Sequence, residues 1–550
     1  MTPSAAHSEG RCQVKDERSG DVALTKQDIV AGLRALGVKP GQVIMAHSAL
    51  SSFGVIEGGA DTVIDALIEA VGPEGTLLMP AMAHDKVFDV TASKSNVGLV
   101  TERFWRRESV TRSIHPTHSA AGIGPRVAEL FAGHVSQPTA LGPESPWGRM
   151  TRMNDAFILL LGCDQDRNTL LHSAEEAVDA PYLTPLEASY LDENREQRTI
   201  TLEQFPGPHR DFIGLDRAFR ARGVMQVGHI GRAVCRMMHA PGAFAVAVEE
   251  LQRDPAAVLC DNPHCDDCVM QRGRIRRARL AQEAFTLAAR LDDVAANLWQ
   301  VPSAAAFLNR LGIRDIEIGE EIAGMLVGML AATPDAVANL RGELKTAELR
   351  VHVVAPPPML WQTLEAGPTE AFRAATLMAR ELGADTLKLT CWPPPPEVNL
   401  AAVAKALESH AAVAVEANLK LLIENDPHAA WSNKERCEAI LGGCASGNVR
   451  LGFNPAEFAR VGEHPFLKTS YKGALKKHLA VLYLADGCPP PEAPHALPGR
   501  GKGEVKELVS LLRCRSFDGI LCLRPGERGP YPWATLQEHW EAFWRLMDGM

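Results

Sequence analysis

A histidine and a glutamate three residues apart form the pair in this chain with the clearest chemical potential. His172 and Glu175 lie in NTLLHSAEEAV, residues 168–178, directly after the apolar run AFILLLG of residues 156–162. The run predicts a buried strand, and the stretch after it predicts a helix on which residues three apart share a face. Imidazole suits proton transfer near neutral pH, and a carboxylate on its other ring nitrogen would fix the tautomer. A surface ion pair on a helix is the alternative interpretation.

A second cluster of potential chemistry is the stretch CDNPHCDDC, residues 260–268. Cys265 and Cys268 have Cys-x-x-Cys spacing, with Cys260 and His264 close by. This spacing is typical of zinc ligands, and reduced thiols in a loop are the alternative. Twelve cysteines in a chain without a signal-peptide pattern predict reduced thiols and a cytoplasmic protein.

The elements that would position His172 belong to an alternation of strands and helices in the N-terminal half. QVIMAH (42–47) and GTLLMPA (75–81) predict strands, and the amphipathic stretch 58–72 between them predicts a helix. This order predicts an α/β fold with a partly parallel sheet and helices packed on it. Ligand sites in such folds lie in the loops after the carboxyl ends of the strands.

The C-terminal half has a more regular rhythm, which predicts a (β/α)8 TIM barrel. Most of its short apolar segments are separated by helical stretches. The eight segments are 284–291, 315–319, 350–356, 385–391, 418–426, 448–453, 479–487 and 518–525. The predicted organisation is a disordered lead-in over 1–22, an N-terminal domain over 23–272, an arginine-rich linker over 273–283 and the barrel over 284–550.

The composition limits the classes of molecule that this protein is expected to bind. The hydrophobic share of 46% and charged share of 23% are ordinary for a globular protein, and no apolar run is long enough to span a membrane. Basic residues are dispersed and aromatic residues make up 6%, which argues against nucleic-acid binding. The net charge of −10 is compatible with a cationic substrate. The sequence leaves a homodimer open as the oligomeric state.

Five stretches, taken together and in order, resemble the aminoglycoside 3-N-acetyltransferase family over residues 25–270. They are HSALSSFGVIEGGADTVIDAL (47–67), VGPEGTLLMPA (71–81), RSIHPTHSAAGIG (112–124), GPESPWG (142–148) and LLLGCDQDRNTLLHSAEE (159–176). The resemblance implies an N-terminal α/β acetyltransferase domain. It also implies transfer of acetyl from acetyl-CoA to an amino group, typically the 3-amino group of an aminoglycoside or related amino-sugar.

By the same resemblance His172 is the catalytic base, with Glu175 as its hydrogen-bond partner. Because no serine or cysteine nucleophile is then required, the expected mechanism is direct transfer in a ternary complex. Thr169 is a candidate donor to the thioester oxyanion, or simply the first residue of the helix. Cys163 is expected to be a packed small apolar residue.

The resemblance also implies binding residues. For CoA these are His47, Ser48, Ser52, Arg112, Ser113 and Ser119. For a structural zinc they are Cys260, Cys265, Cys268 and His209, the last from the segment GPHRDF. The acidic residues that often precede that segment in the family are reduced here to Glu203, so Asp85 and Asp89 are the candidate contacts for a cationic acceptor.

The barrel resembles the xylose-isomerase-like isomerase and epimerase superfamily through LLIEND (421–426), GFNPAEF (452–458) and VLYLADG (481–487). Glu424 matches the first ligand of that family's divalent cation, but the following positions read Asn454, Tyr483 and Arg524. The sequence therefore predicts a metal-free barrel. Arg524 would either attract a phosphate or carboxylate, or pair with Glu424. An active isomerase or epimerase, and a ligand sensor without turnover, are the alternatives for the barrel and for the whole chain.

Overall fold

A computed structural model describes residues 23–550, apart from 206, 208, 330–334, 359–366, 391–397, 472, 493–494 and 527. The predicted lead-in, residues 1–22, lies outside the described residues. The chain divides into two compact units, Met1–Cys268 and Val269–Met550. The arginine-rich segment predicted as a linker overlaps a helix that runs from Asp266 to Leu280.

The first unit is built on a mixed sheet with seven strands in the order β4-β5-β2-β1-β6-β10-β9. A smaller sheet has the order β3-β7-β8. The strands are β1 Val43–Ser48, β2 Thr76–Pro80, β3 Val87–Phe88, β4 Thr111–Arg112, β5 Ala120–Ile123, β6 Ala156–Leu161, β7 Thr184–Leu191, β8 Gln197–Gln204, β9 Met225–Ile230 and β10 Ala233–His239. In the large sheet β1 is parallel to β2 and β6, and the other pairings are antiparallel.

Helices cover the large sheet and bury one face each. The α-helices of this unit are Lys26–Leu36, Ala60–Val71, Leu99–Trp105, Val127–Phe131, Pro146–Met150, Leu170–Ala177, Asp216–Ala221 and Ala240–Arg253. The first begins with a reciprocal capping box between Thr25 and Asp28, which satisfies two free backbone N–H groups. Val63 and Leu67 lie fully buried on the inner face of Ala60–Val71, as its periodicity predicts.

The three neighbouring parallel strands β2, β1 and β6 position the candidate site. Their residues are almost all buried, because both faces of the sheet are covered. Parallel strands end at the same edge, so the segments that follow β2, β1 and β6 are brought together there. His172 lies in the helix that follows β6, as predicted.

The second unit is a closed barrel of eight parallel strands. The strands are β11 Thr286–Arg290, β12 Asp315–Ile318, β13 Arg350–Val354, β14 Thr386–Leu389, β15 Lys420–Glu424, β16 Val449–Phe453, β17 Leu479–Leu484 and β18 Ile520–Leu523. Each lies within one of the predicted segments, so the predicted barrel is confirmed.

Helices surround the barrel strands. Those described are Val301–Arg310, Glu320–Met329, Ala336–Thr346, Glu370–Leu382, Leu400–Glu416, Lys434–Gly443, Pro455–Arg460, Val505–Cys514 and Pro532–Asp548. Apolar side chains from strands and helices form one large buried cluster between the two layers. Among the described residues of the whole chain, no helix has the length and apolar character needed to cross a membrane.

Candidate active site

A cavity of about 560 Å³ opens at the edge where β2, β1 and β6 end. Pro80 from β2, His47 and Ser48 from β1, and Thr169 and His172 from the segment after β6 lie on its wall. Three stretches that are far apart in sequence therefore meet at one cavity because their strands are parallel neighbours.

The side chain of His172 is held on three sides. Its Nδ1 is hydrogen-bonded to Oε2 of Glu175, one turn further along the same helix. Its ring stacks on Phe205 with centroids 3.7 Å apart and meets Phe212 edge-on at 4.9 Å. A carboxylate only accepts hydrogen bonds, so Nδ1 carries the proton and Nε2 keeps a free lone pair.

Glu175 is a fully buried carboxylate with two further donors. Tyr182 donates its hydroxyl to Oε1 at 2.7 Å, and Arg210 donates Nε to the same oxygen at 2.6 Å. Sequence reasoning missed both residues. They are seven and 35 positions away from Glu175 in the chain, and no local spacing rule reports such contacts.

These contacts determine the charge state of the pair. The pKa of Glu175 is lowered despite its burial, because His172 and Arg210 both stabilise the carboxylate. The pKa of His172 is lowered by its own burial, which outweighs the opposing effect of Glu175. At neutral pH the pair is therefore a carboxylate and a neutral imidazole, the form in which a histidine can accept a proton.

Thr169 and Cys163 lie on the same cavity wall. Thr169 is the N-cap residue of the helix Leu170–Ala177, but its side chain makes no capping hydrogen bond. Its hydroxyl is therefore available to the cavity. Burial raises the pKa of the Cys163 thiol to about 12, so this cysteine is uncharged at neutral pH and a poor nucleophile.

Of the residues predicted to bind CoA, the structure brings His47 and Ser48 to the cavity. Burial lowers the pKa of His47 to about 3, and its Nε2 has no hydrogen-bond partner within the described residues. A second cavity of about 490 Å³ also touches Ser48 and extends to Gly59. Gly59 precedes the helix Ala60–Val71 without a side-chain cap, so backbone N–H groups at that helix start suit a phosphate.

The other four residues predicted to bind CoA use their polar groups in hydrogen bonds within the protein. Ser52 donates to the carbonyl of Gly162 at 2.8 Å. Arg112 is buried and donates to Ser119 and to the backbone carbonyls of Ala81 and Ser93. Buried Ser113 accepts the backbone N–H of Ala120, and Ser119 donates to the carbonyl of Ala81. None of these four residues lines either cavity as described.

Neither predicted acidic contact lies on the cavity wall as described. Asp85 is exposed, and Asp89 pairs with Arg195 at 2.8 Å, which helps to lower the pKa of Asp89 to about 2. The carboxylate that does line the cavity is Asp166, an exposed residue paired with Arg167 at 3.3 Å. Asp166 lies within the stretch 159–176, and no local pattern in that stretch selects it.

The predicted metal ligands come together. The donor atoms of His209, Cys260, Cys265 and Cys268 all lie within 4.8 Å of one another. His209 Nδ1 is 3.3 Å from the sulfur of Cys268 and 3.4 Å from that of Cys265. Zn–S bonds of about 2.3 Å in a tetrahedron separate the ligand atoms by roughly 4 Å, so this donor set fits zinc.

The barrel residues predicted from the sequence also meet, but in a different arrangement. Glu424 accepts hydrogen bonds from Asn454 at 2.8 Å, Arg524 at 2.9 Å and Lys388 at 3.0 Å. Lys388 also donates to Glu317 and to Tyr483, so an ammonium lies between two carboxylates. Sequence reasoning missed Lys388 and Glu317.

Comparisons with known proteins identify both halves. The family model described as aminoglycoside 3-N-acetyltransferase matches residues 45–252, and the one described as xylose isomerase-like TIM barrel matches residues 305–543. Aminoglycoside N(3)-acetyltransferase IV of Salmonella sp. is 34% identical over 257 residues, which are 46% of this chain and 95% of the relative. The SPbeta prophage-derived N(3′)-acetyltransferase-like protein YokD of Bacillus subtilis is 30% identical over 241 residues, 39% of this chain and 87% of the relative.

Among solved structures, the apoenzyme of aminoglycoside acetyltransferase AAC(3)-IVa is 30% identical with a TM-score of 0.41, and the match covers 45% of this chain and 97% of that one. The chain belongs to the aminoglycoside 3-N-acetyltransferase family, and its N-terminal unit is an acyltransferase. The residues that follow form the closed eight-stranded barrel, and the xylose isomerase-like TIM barrel model matches them.

Proposed function

We propose that the N-terminal unit transfers the acetyl group of acetyl-CoA to an amino group of an aminoglycoside or related amino-sugar, at the 3-N position. The observation that carries the proposal is the neutral, oriented His172 on the wall of a cavity at the strand ends. In bacteria, such an activity would confer resistance to the antibiotic. The Salmonella and Bacillus relatives support this substrate class by their names.

The proposed mechanism is direct transfer with His172 as general base. His172 Nε2 takes the proton of the amine as the amine nitrogen attacks the thioester carbonyl carbon. Glu175 stabilises the imidazolium that forms. Thr169 donates its hydroxyl to the thioester oxygen as negative charge develops there. When the carbon–sulfur bond breaks, His172 returns the proton to the departing thiolate. Cys163 takes no part, because its thiol stays protonated.

We propose a binding position for each of the two substrates, CoA and the cationic acceptor. The CoA chain follows the two neighbouring cavities past Ser48, with its diphosphate at the start of the helix Ala60–Val71. His47 Nε2 is a buried polar atom that a bound ligand can satisfy. For the cationic acceptor, Asp166 replaces Asp85 and Asp89 as our candidate contact, because it lines the cavity.

The experiment that tests the function is a panel of amines assayed for release of free CoA from acetyl-CoA. Aminoglycosides with a free 3-amino group should release CoA, and analogues acetylated at that nitrogen should not. Release from aminoglycosides irrespective of the 3-amino group would overturn the proposed position. No release with any aminoglycoside or amino-sugar would overturn the function.

We propose that His209, Cys260, Cys265 and Cys268 hold a structural zinc ion, with zinc supplying cross-linking and no step of the reaction. Freshly purified protein should contain about one zinc per chain, which a Cys265→Ser/Cys268→Ser variant should lose. Elemental analysis that finds no zinc would remove the proposal.

For the barrel we propose a metal-free state without sugar isomerisation. Lys388 and Arg524 already supply positive charge to Glu424, so a divalent cation would meet two like charges there. Both alternatives, an active isomerase and a sensor without turnover, make the barrel a ligand-binding unit, and only the first requires product formation.

A further inference from the structure

One residue of the metal cluster is adjacent in the chain to a residue that contacts the catalytic pair. His209 contributes its Nδ1 to the cysteine cluster, and the next residue, Arg210, donates Nε to Glu175 at 2.6 Å. The Arg210 side chain is only 3% exposed, so its charge is buried together with that of Glu175. One peptide bond therefore separates a metal ligand from a residue that holds the partner of the proposed base.

The direction in which the Arg210 side chain points depends on how the backbone of residues 209–211 is held. Between the end of β8 and the short helical turn Phe212–Leu215, the described residues form no regular secondary structure. The backbone N–H of His209 donates to Asp267 at 3.2 Å, and that of Asp211 donates to the carbonyl of Val258 at 2.8 Å. Val258 lies two residues before Cys260, and Asp267 lies between Cys265 and Cys268, so the segment is bonded to the same stretch of chain that carries the thiol ligands.

Arg210 also contacts the aromatic side chains around His172. Its guanidinium carbon lies 5.3 Å from the ring centroid of Tyr182 and 5.8 Å from that of Phe205. Phe205 is the ring that stacks on His172. A displaced Arg210 would therefore disturb both the hydrogen bond to Glu175 and the packing of the imidazole.

We propose that Arg210 is a positioning residue through which the cysteine–histidine cluster holds Glu175 and His172 in their catalytic arrangement. The inference rests on the proposed transferase function and goes beyond it, since it makes the rate depend on an ion that does not touch the substrate. Residues that contact the ligands of a metal, and not the metal itself, commonly change metal affinity or activity by roughly 10- to 100-fold when they are mutated.

The test compares Arg210→Met and Arg210→Lys with the full-length wild type, each loaded with zinc. Arg126→Met, which breaks a surface pair with Asp155, is the matched control for losing an arginine–carboxylate contact. Nitrogen NMR of the histidine side chains reports the tautomer and titration midpoint of His172 without any substrate. The signals of His172 are assigned by their loss in His172→Ala.

Arg210→Met should move the His172 midpoint to higher pH. The positive charge of Arg210 lowers the pKa of both His172 and Glu175, so its removal favours the protonated form of each. Other polar and titratable groups around the pair and the adjoining cavity, which the substitution does not alter, are Tyr182, Glu176, His118, His84, His47, Asp166 and Arg167. The value of kcat should fall roughly tenfold while KM for acetyl-CoA changes less than about twofold. Arg210→Lys should lie between, because it keeps the charge and loses the planar donor.

Coupling to the metal is tested by removing zinc with a chelator. Chelation should shift the His172 signals of the wild type and of Arg126→Met, but should add no further shift in Arg210→Met. Equal shifts in Arg210→Met and wild type would overturn the coupling. So would a wild-type His172 spectrum that does not respond to zinc removal, a measurement that requires no variant to fold.

The two proposals fail separately. A wild type that releases no CoA with any amine overturns the proposed function, while the His172 titration still decides the coupling. A wild type that acetylates amines normally, with His172 signals unchanged in a folded Arg210→Met, overturns the coupling alone.

Discussion

The two units of this chain both gather polar groups at the carboxyl ends of parallel strands, and they use them differently. In the N-terminal unit, His172 has one ring nitrogen bonded to Glu175 and the other available to a cavity. In the barrel, Lys388 uses all three of its donors on Glu317, Glu424 and Tyr483. The first arrangement leaves hydrogen-bonding capacity for a ligand, and the second consumes it internally.

The difference shows which features of a polar cluster at strand ends indicate a functional site. Glu175 is fully buried and the Glu424 side chain is only 11% exposed. The pKa of both carboxylates is lowered, that of Glu424 to about 2. The carboxylate alone therefore does not distinguish a working site. What distinguishes the N-terminal cluster is a neutral imidazole with a free lone pair beside the carboxylate, whereas Glu424 is surrounded by fixed cations.

The largest effect is expected from breaking the barrel network. Lys388→Met leaves Glu317 and Glu424 buried with less compensating charge, so the free energy of unfolding of the barrel should fall by about 3 to 5 kcal/mol. Urea titration measures this, and Lys434→Met, which breaks a half-exposed pair with Glu438, should change it by less than about 1 kcal/mol. Equal stability of Lys388→Met and wild type would show that the network is not a closed structural unit.

The next effect concerns the proposed base. His172→Ala should lower turnover roughly a hundredfold or more while acetyl-CoA binding stays nearly intact, because the amine then loses its proton acceptor. Steady-state kinetics and a binding titration measure the two quantities. His229→Ala, an exposed histidine on β9, is the control. Near-normal turnover in His172→Ala would remove the assignment and with it the contrast between the two units.

A smaller effect should follow from Glu175→Gln. The amide keeps the shape and loses the charge, so turnover should fall roughly tenfold. The carboxylate raises the pKa of His172 against the effect of burial, so the acid limb of kcat/KM should move to lower pH in the variant. This is opposite in sign to Arg210→Met. A shift to higher pH in Glu175→Gln would mean that the limb does not report His172.

The smallest expected effect is that of adding a divalent cation, which should not bind in the barrel. Calorimetric titration of the intact chain with manganese should give no binding at Glu424, and Glu424→Ala should behave in the same way. Tight binding that disappears in Glu424→Ala would mean that Lys388 and Arg524 move aside for a cation. The barrel would then be a second working active site, and the two units would no longer differ in the capacity of their polar groups to bind a ligand.

Local patterns predicted much of the fold correctly. The apolar segments predicted all eight barrel strands to within a few residues at each end. A strand buried on one face has alternating apolar residues and a strand buried on both faces has a continuous apolar run, so burial is visible in the sequence. The arginine-rich segment near 273–283 was predicted as a linker, and its residues up to 280 lie in a helix. Such arginine runs are typical of a solvated helix face as well as of a linker.

The site residues predicted from the sequence also include some that the structure brings together and some that it does not. The pair His172 and Glu175 and the four metal-ligand candidates were identified from spacing and resemblance, and the structure brings each set together. Arg112, Ser113 and Ser119 were predicted to bind CoA from the family resemblance. Their neighbours in the fold use those side chains instead, and sequence alone gives no account of which backbone carbonyls will lie nearby.

The sequence by itself determined the two domains, their strands and the position of the proposed base, because strand and helix periods and short motifs are properties of neighbouring residues. Only the tertiary structure decided how the charges are paired. Arg210 reaches Glu175 across 35 positions, and Lys388 reaches Glu317 across 71. Such pairs form where parallel strands and the loops beside them meet. Whether a buried charge is left free for a substrate or neutralised inside the protein depends on those distant neighbours, which no local pattern encodes.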